Sequence, residues 1–333
     1  MIRWKRIEYV KPGEVVSEDV YDPSGFVILI KGGTALREGD IVLLKKRGVS
    51  HVPIEIESLD LSNPEIPSAI KPEMYFEIVE EYSSLLEEAK QGVIKLEHIV
   101  KQAEKIVSGV LENIDKQILN IFTKDDLPLV RHGINTSIIS TMIGYELGFD
   151  EESLVKISTA ALLHDIGYLN DILKRDIELL SDPHPIRGAS LLKSRLKYND
   201  EILLAVLHHH ERYDGRGFPR GLKEETIPIY ARIVAVADAY DTIISKDLPG
   251  VAGNPYKAVK WIVHSAGHYY DPNIVSVFVK YVGIYPTGTK VILSNGKKGT
   301  VIKVGKGLFP YVLVEGKVVD VVKEGITIKE IVD

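Results

Sequence analysis

Asp238 stands inside the run Val234-Ala235-Val236-Ala237-Asp238-Ala239, and His164-Asp165 closes the apolar run Ala160-Ala161-Leu162-Leu163. Segments that otherwise read as core therefore carry carboxylates at positions a fold must bury. An unpaired buried carboxylate costs several kcal/mol, so each must meet a cation, an arginine or a set of backbone amides. For either residue alone, an arginine or amide partner is an ordinary solution. Taken together they favour metal ions, because six of the ten histidines fall between residues 132 and 210. The densest stretch is His209-His210-Glu211, followed by Asp214-Gly215-Arg216-Gly217-Phe218-Pro219.

The composition narrows the chemistry. There is no cysteine, which excludes disulfides and thiolate ligands and leaves nitrogen and oxygen donors. Lys and Arg number 41 against 47 Asp and Glu, a net charge of −6, so bulk attraction to a nucleic acid polymer or an anionic membrane is not expected. No apolar run approaches a membrane span and the basic start Met1-Ile2-Arg3-Trp4-Lys5-Arg6 leads into no apolar signal core, so the expected location is the cytoplasm. At 333 residues and 45% hydrophobic, the chain is long enough for two or three domains.

Patterning divides the chain into four parts. Residues 1–66 carry short β-type runs such as Phe26–Ile30, broken by Pro12-Gly13, Asp22-Pro23-Ser24-Gly25 and Gly32-Gly33, and read as a small β-rich accessory or regulatory domain. Residues 67–124 read as a helical linker. From about 73 to 122 apolar residues recur at helical spacing (Ile94, Ile99, Ile106, Val110, Ile114, Ile118), as a pair of long helices or one broken near Gly92. These helices could pair in a homodimer or pack on their own bundle. Residues 125–283 are almost wholly helical: Asp150 is placed to cap a helix, Glu201–His208 forms another, Ile227–Ile244 a third, and Tyr256–His264 and Pro272–Val282 complete the bundle. Residues 284–333 read as a small β-meander or barrel, with strands at Lys290–Leu293, Gly299–Ile302, Tyr311–Val314 and Val318–Val321.

His209 and His210 are neighbours, so on a regular helix they point about 100° apart and do not chelate as an i, i+4 pair would. At a helix end entering the glycine-bearing loop they can serve one ion or two adjacent ions. A triple histidine tract is by itself more often a surface accident, and isolated His132 and His184 are individually weak signals. The Gly215-Arg216-Gly217 loop, whose glycines let the backbone approach a ligand closely, argues against the accident.

His132, His164-Asp165 and Asp238, in that order on a helical segment, resemble the metal ligands of the HD phosphohydrolase superfamily. His184 in His-Pro-x-x-Gly and the string from His209 to Pro219 narrow the resemblance, over about residues 125 to 283, to the HD-GYP family of cyclic dinucleotide phosphodiesterases. It implies a mainly α fold, an HD-type helical bundle flanked by the two small β-rich segments. It implies hydrolysis of cyclic di-GMP to linear pGpG, and onward to GMP, by hydroxide generated at a centre of two or three divalent ions, iron or manganese. His132, His164, Asp165, His184, His209, His210 and Asp238 are then the ligands, with Asp165 bridging. His164, Asp165 and Tyr168 take the catalytic positions, while Arg187, Asp214, Gly215, Arg216, Gly217, Phe218 and Pro219 take substrate-binding ones.

Four positions depart from the family pattern. Tyr168 stands where the family usually has Lys after His-Asp-x-Gly, replacing a cation with a neutral hydroxyl. Lys246-Asp247-Leu248-Pro249-Gly250 replaces an Arg-Pro-Tyr-Arg segment. Pro128 occupies the position of a Glu that holds a third ion, which favours two ions, and Phe218 replaces the Tyr of the family motif. Three readings follow: a cyclic di-GMP phosphodiesterase, a catalytically weak cyclic-dinucleotide receptor or signalling module, and a hydrolase of another phosphoester.

Overall fold

The computed structural model describes residues 2–7, 10–49, 51–55, 69–114, 127–169, 184–196, 200–245, 254–304 and 309–332. The segment 246–250, which departs from the family pattern, lies outside the described residues. The chain separates into two compact units, Met1–Asn63 and Pro64–Asp333.

In the first unit, strand β1 (Ile2–Arg6) pairs antiparallel with β4 (His51–Glu55), and β2 (Val20–Tyr21) with β3 (Ile28–Ile30). Helix α1 (Glu38–Lys46) buries Ile41 and Leu44 in a core shared with Val16, Val20, Leu36, Val52 and Ile54. The β2–β3 turn falls at Asp22-Pro23-Ser24-Gly25, where Asp22 Oδ1 accepts from Ser24 Oγ at 2.7 Å and from the Phe26 and Val27 amides at 3.3 Å.

The second unit is a helical bundle followed by a sheet. Helices α2 (Pro72–Lys90) and α3 (Leu96–Asn113) form a hairpin broken beside Gly92, as the spacing predicted, up to the limit of the described residues. Lys105 Nζ on α3 reaches Glu77 at 2.6 Å and Glu81 at 2.9 Å on α2. Their apolar faces pack within their own bundle: α3 against α5 (Glu151–Leu163) and both against α4 (Pro128–Leu147). Every residue of α4 from Val130 to Tyr145 is buried, which makes it the axis around which α5, α8 (Ile229–Ser245) and α10 (Pro272–Val282) assemble. Two of its buried hydroxyls are satisfied, Ser137 Oγ meeting Ser158 Oγ at 2.7 Å and Thr141 donating to the Ser137 carbonyl at 2.8 Å.

Short polar residues start the helices. Asp150 accepts from the Ser153 amide at 2.9 Å to cap α5, Asp200 from Ile202 at 2.9 Å to cap α7 (Glu201–His208), and Asp271 from Asn273 at 2.8 Å to cap α10. Asn254 caps α9 (Pro255–His264) through the Lys257 amide at 3.2 Å. Each such cap contributes about 1 kcal/mol. α6 (His184–Leu192) begins on His184 itself. No helix among the described residues is long and apolar enough to cross a membrane.

The tail is a five-stranded antiparallel sheet of order β8-β7-β6-β5-β9, formed by β5 (Lys290–Leu293), β6 (Lys298–Val304), β7 (Pro310–Val314), β8 (Lys317–Asp320) and β9 (Ile328–Val332). The patterning located four of these strands and missed β9, whose partly exposed Ile-Lys-Glu-Ile-Val lacks the uniform apolar run of the others. β9 adds to the free side of β5, leaving β8 and β9 as separate edges. The sheet is therefore open, which corrects the barrel alternative.

Candidate metal centre

Five segments deliver the histidines and aspartates to one buried place. His132 comes from the first turns of α4, His164 and Asp165 from the end of α5, His184 from the first residue of α6, His209 and His210 from just beyond α7, and Asp238 from the middle of α8. The helix gives way after His208, so His209 and His210 escape the 100° divergence that a continuing helix would impose and both reach His184. Their Nε2 atoms lie 3.1 and 3.2 Å from His184 Nε2. At the other end His132 Nε2 lies 3.2 Å from His164 Nε2 and 3.1 Å from Asp238 Oδ1.

Asp165 spans the two ends. Its Oδ1 is 3.3 Å from His184 Nε2, 3.6 Å from His164 Nε2 and 3.9 Å from His209 Nε2, while its Oδ2 is 3.7 Å from His132 Nε2. The donors fall into three overlapping groups: His132, His164 and Asp238; His164, Asp165 and His209; and His184, His209 and His210. Within each group the donor atoms lie within 4.8 Å of one another.

The bonds made by the outer ring nitrogens suit a cation site. His164 Nδ1 donates to the Ala161 carbonyl at 2.7 Å and His209 Nδ1 to the Val206 carbonyl at 2.8 Å. His132 Nδ1 donates to Asp241 Oδ2 at 2.7 Å. These partners assign a proton to Nδ1 in all three rings and direct their Nε2 atoms inward, where a neutral ring offers a lone pair. Facing lone pairs 3.2 Å apart repel unless a proton or metal ion lies between them. Second-sphere acceptors on Nδ1, with Nε2 free to ligate, are also the habitual arrangement of metal-bound histidine. The donor set thus fits two neighbouring divalent ions.

The electrostatics agree. Burial keeps His164 and His209 neutral and pushes His210 down to about 4, so these imidazoles are in the ligating form at neutral pH. Burial also works against a charged His132, but its bonds to Asp238 and Asp241 outweigh that and lift it to about 9 without metal. Burial would raise the Asp238 carboxyl; the His132 bond and charge override it and hold it far below the usual carboxylate range.

Of the other positions singled out in the sequence, Tyr168 lies on a one-turn 3-10 helix (Ile166–Tyr168), buried, with its ring stacked on His184 at 4.1 Å. Gly167 lets that turn sit on α6, for a Cβ there would fall 2.0 Å from the His184 carbonyl oxygen. Arg187 donates from Nε to the Gly167 carbonyl at 3.2 Å. Asp214 binds Arg212 through both oxygens, at 3.1 and 2.6 Å, and accepts from the Arg216 amide at 3.0 Å, so it organises the loop. Gly215 turns the chain at φ 79°. Phe218 stacks on His210 at 5.0 Å, and the Phe218–Pro219 bond is cis. At Gly217 a Cβ would fall 2.1 Å from the Arg212 amide nitrogen, so only glycine fits.

Sequence reasoning missed three contributors. Asp241, one turn beyond Asp238, is fully buried and accepts from both His132 and Asn135, the latter at 2.7 Å. Glu211 is buried beneath the loop, accepting from the Arg220 amide at 2.8 Å and the Leu222 amide at 3.0 Å, with His208 Nδ1 3.3 Å away. Arg212 lies over the Tyr269 ring at 3.7 Å. The Asp-x-x-Asp spacing at 238 and 241 was a signal for the first; Glu211 stood in the singled-out His209–Pro219 string without a role, and nothing in the spacing pointed to Arg212.

Nitrogen and oxygen donors from five segments of a helical bundle thus converge in clusters suited to metal ions, the arrangement of a helical protein with a candidate metal centre. The chain belongs to the HD domain family, whose model, described as HD domain, matches residues 93–274. It is similar to a cyclic di-GMP phosphodiesterase of Pseudomonas aeruginosa, 32% identical over 66% of this chain and 56% of the relative. It is also similar to a cyclic di-GMP phosphodiesterase of Thermotoga maritima, 35% identical over 49% of this chain and 48% of that protein. A more distant relative, the 3'3'-cGAMP-specific phosphodiesterase 3 of Vibrio cholerae, is 27% identical over 46% of this chain and 35% of its own length. The chain thus spans about half the length of the first two, or less of the third.

Proposed function

We propose that this chain is a metal-dependent phosphodiesterase of cyclic dinucleotides, with cyclic di-GMP as substrate, opened to linear pGpG and then to GMP. The observation that carries the reading is the Asp165 carboxylate set between two clusters of inward-facing imidazoles. Such a donor set suits iron or manganese. When bound, paired divalent ions supply Lewis acidity to a phosphoryl oxygen and acidify a water for in-line attack.

The protein's own residues hold and orient. His132, His164 and Asp238 would hold one ion and His184, His209 and His210 the other, with Asp165 within reach of both groups. Hydrolysis breaks one P–O3′ ester and leaves a 5′-phosphate, so the site must accept a dianionic product. Arg187 and Arg216, with the Gly217–Pro219 backbone, are the proposed contacts to phosphate and sugar, and Arg212 holds the loop through Asp214. The N-terminal unit is assigned an accessory role.

A second reading is favoured by one contact. Tyr168 spends its ring on His184 where the family pattern has a cation, and a site with less positive charge suits a receptor that binds without turning over. The test is incubation of the anaerobically purified, metal-loaded protein with cyclic di-GMP and, separately, with 3'3'-cGAMP. Linear pGpG supports the enzyme, saturable binding without product supports the receptor, and turnover of cGAMP alone moves the specificity. Neither binding nor turnover of either nucleotide overturns the proposal.

A further inference from the structure

The two ends of the centre are supported differently. At one end, Asp241 presents both carboxylate oxygens to donors: Oδ2 to His132 Nδ1 and Oδ1 to Asn135 Nδ2, each at 2.7 Å, in a fully buried position. At the other, the acceptor behind His209 is the neutral Val206 carbonyl, as the Ala161 carbonyl is behind His164, so of these three rings only His132 is shown backed by a carboxylate. A full charge behind an imidazole makes its far nitrogen a stronger donor than a peptide dipole does, and it fixes the ring against rotation.

We infer that Asp241 is a positioning residue that holds His132 as a metal ligand and strengthens retention of the ion at the His132–His164–Asp238 end only. This rests on the metal-centre part of the proposed function and not on the substrate. The mechanism is confined to one proton. With an ionised carboxylate behind it, His132 keeps its hydrogen on Nδ1 and turns its Nε2 lone pair toward Asp165 and Asp238. An asparagine at 241 offers one acceptor and one donor to two donors. Either His132 then turns an N–H toward the ion position or Asn135 flips its amide, and in both cases the backing charge is gone.

The test uses the full chain, stripped with chelator and titrated with Mn2+ against a chromophoric competitor. At pH 9, where proton competition at His132 is largely relieved in both proteins, Asp241→Asn should weaken Mn2+ binding about 10- to 100-fold, the range for loss of an outer-sphere partner. In a His132→Ala background the same substitution should change affinity less than about threefold, because its route to the ion has been removed, whereas in a His210→Ala background the full loss should persist. Melting of the metal-free proteins separates this from a structural role, which would lower the midpoint and act equally in both backgrounds. Should Asp241→Asn fail to fold, Asn135→Ala, which removes only the second donor, should weaken Mn2+ binding several-fold with the same dependence on His132. Unchanged affinity in Asp241→Asn, or an equal loss with and without His132, overturns the inference. A wild-type protein that takes up no Mn2+ overturns the metal centre itself.

Discussion

The Tyr168 ring stacks on the His184 imidazole with centroids 4.1 Å apart and planes 21° from parallel. The residue that departs most visibly from the family pattern is therefore packed against a ligand position. Tyr168→Phe should leave metal content unchanged and turnover within about threefold, since the stack is kept. Tyr168→Lys should raise kcat/KM for cyclic di-GMP about tenfold by restoring a cation near the phosphates, while lowering the melting midpoint. Steady-state kinetics of the three proteins check this; no gain in Tyr168→Lys shows that the missing charge is not limiting.

His164 belongs to two of the three donor groups, and Asp238 completes one of them. His164→Ala and Asp238→Ala should lose metal and with it activity, read by elemental analysis of the anaerobically purified variants. Full metal content with unchanged turnover in either variant would refute the assignment.

Metal uptake should depend on pH through His132, lifted to about 9 in the metal-free state. The ion needs the neutral ring, so apparent affinity should rise about tenfold per pH unit from neutrality and level off near 9. Without metal, the same raised value means that the folded state holds a proton the unfolded chain releases above about 6.5. His132 thus stabilises fully below that pH and loses its contribution on the way to 9. His210, lowered to about 4 by burial, acts oppositely, and stability through it rises from pH 4 to 6.5. The metal-free protein should be most stable near pH 6.5, as denaturant titration across this range will show.

Gly217→Ala should cost more than about 2 kcal/mol, because the added methyl meets backbone at 2.1 Å and no side chain can move aside. Urea unfolding measures it, and a loss below about 0.5 kcal/mol would show the loop backbone able to shift.

Glu211→Ala strips the acceptor from two loop amides and should cost about 2 to 4 kcal/mol, with Glu211→Gln falling between it and wild type. Trypsin should then cut faster at Arg216 or Arg220. A variant as resistant as wild type would separate Glu211 from loop order.

Asp165, Asp238 and the 208–210 histidine tract stood out as anomalies in apolar surroundings, while His132 and His184 joined them only through the family resemblance; α7 and α10 were legible because their caps and apolar faces are unambiguous. The sequence did not carry Asp241, whose significance lies in a ring 109 residues away. Nor did it carry the bond of Arg212 to both oxygens of Asp214, a position that the family resemblance gives to substrate. The strand β9 was hidden because an edge strand half open to water needs no continuous apolar face.

Glu211 follows directly on two imidazoles of the centre while its own side chain fastens Arg220 and Leu222. If these two imidazoles hold an ion, whatever draws them together would also tighten the Arg220–Leu222 stretch that Glu211 fastens.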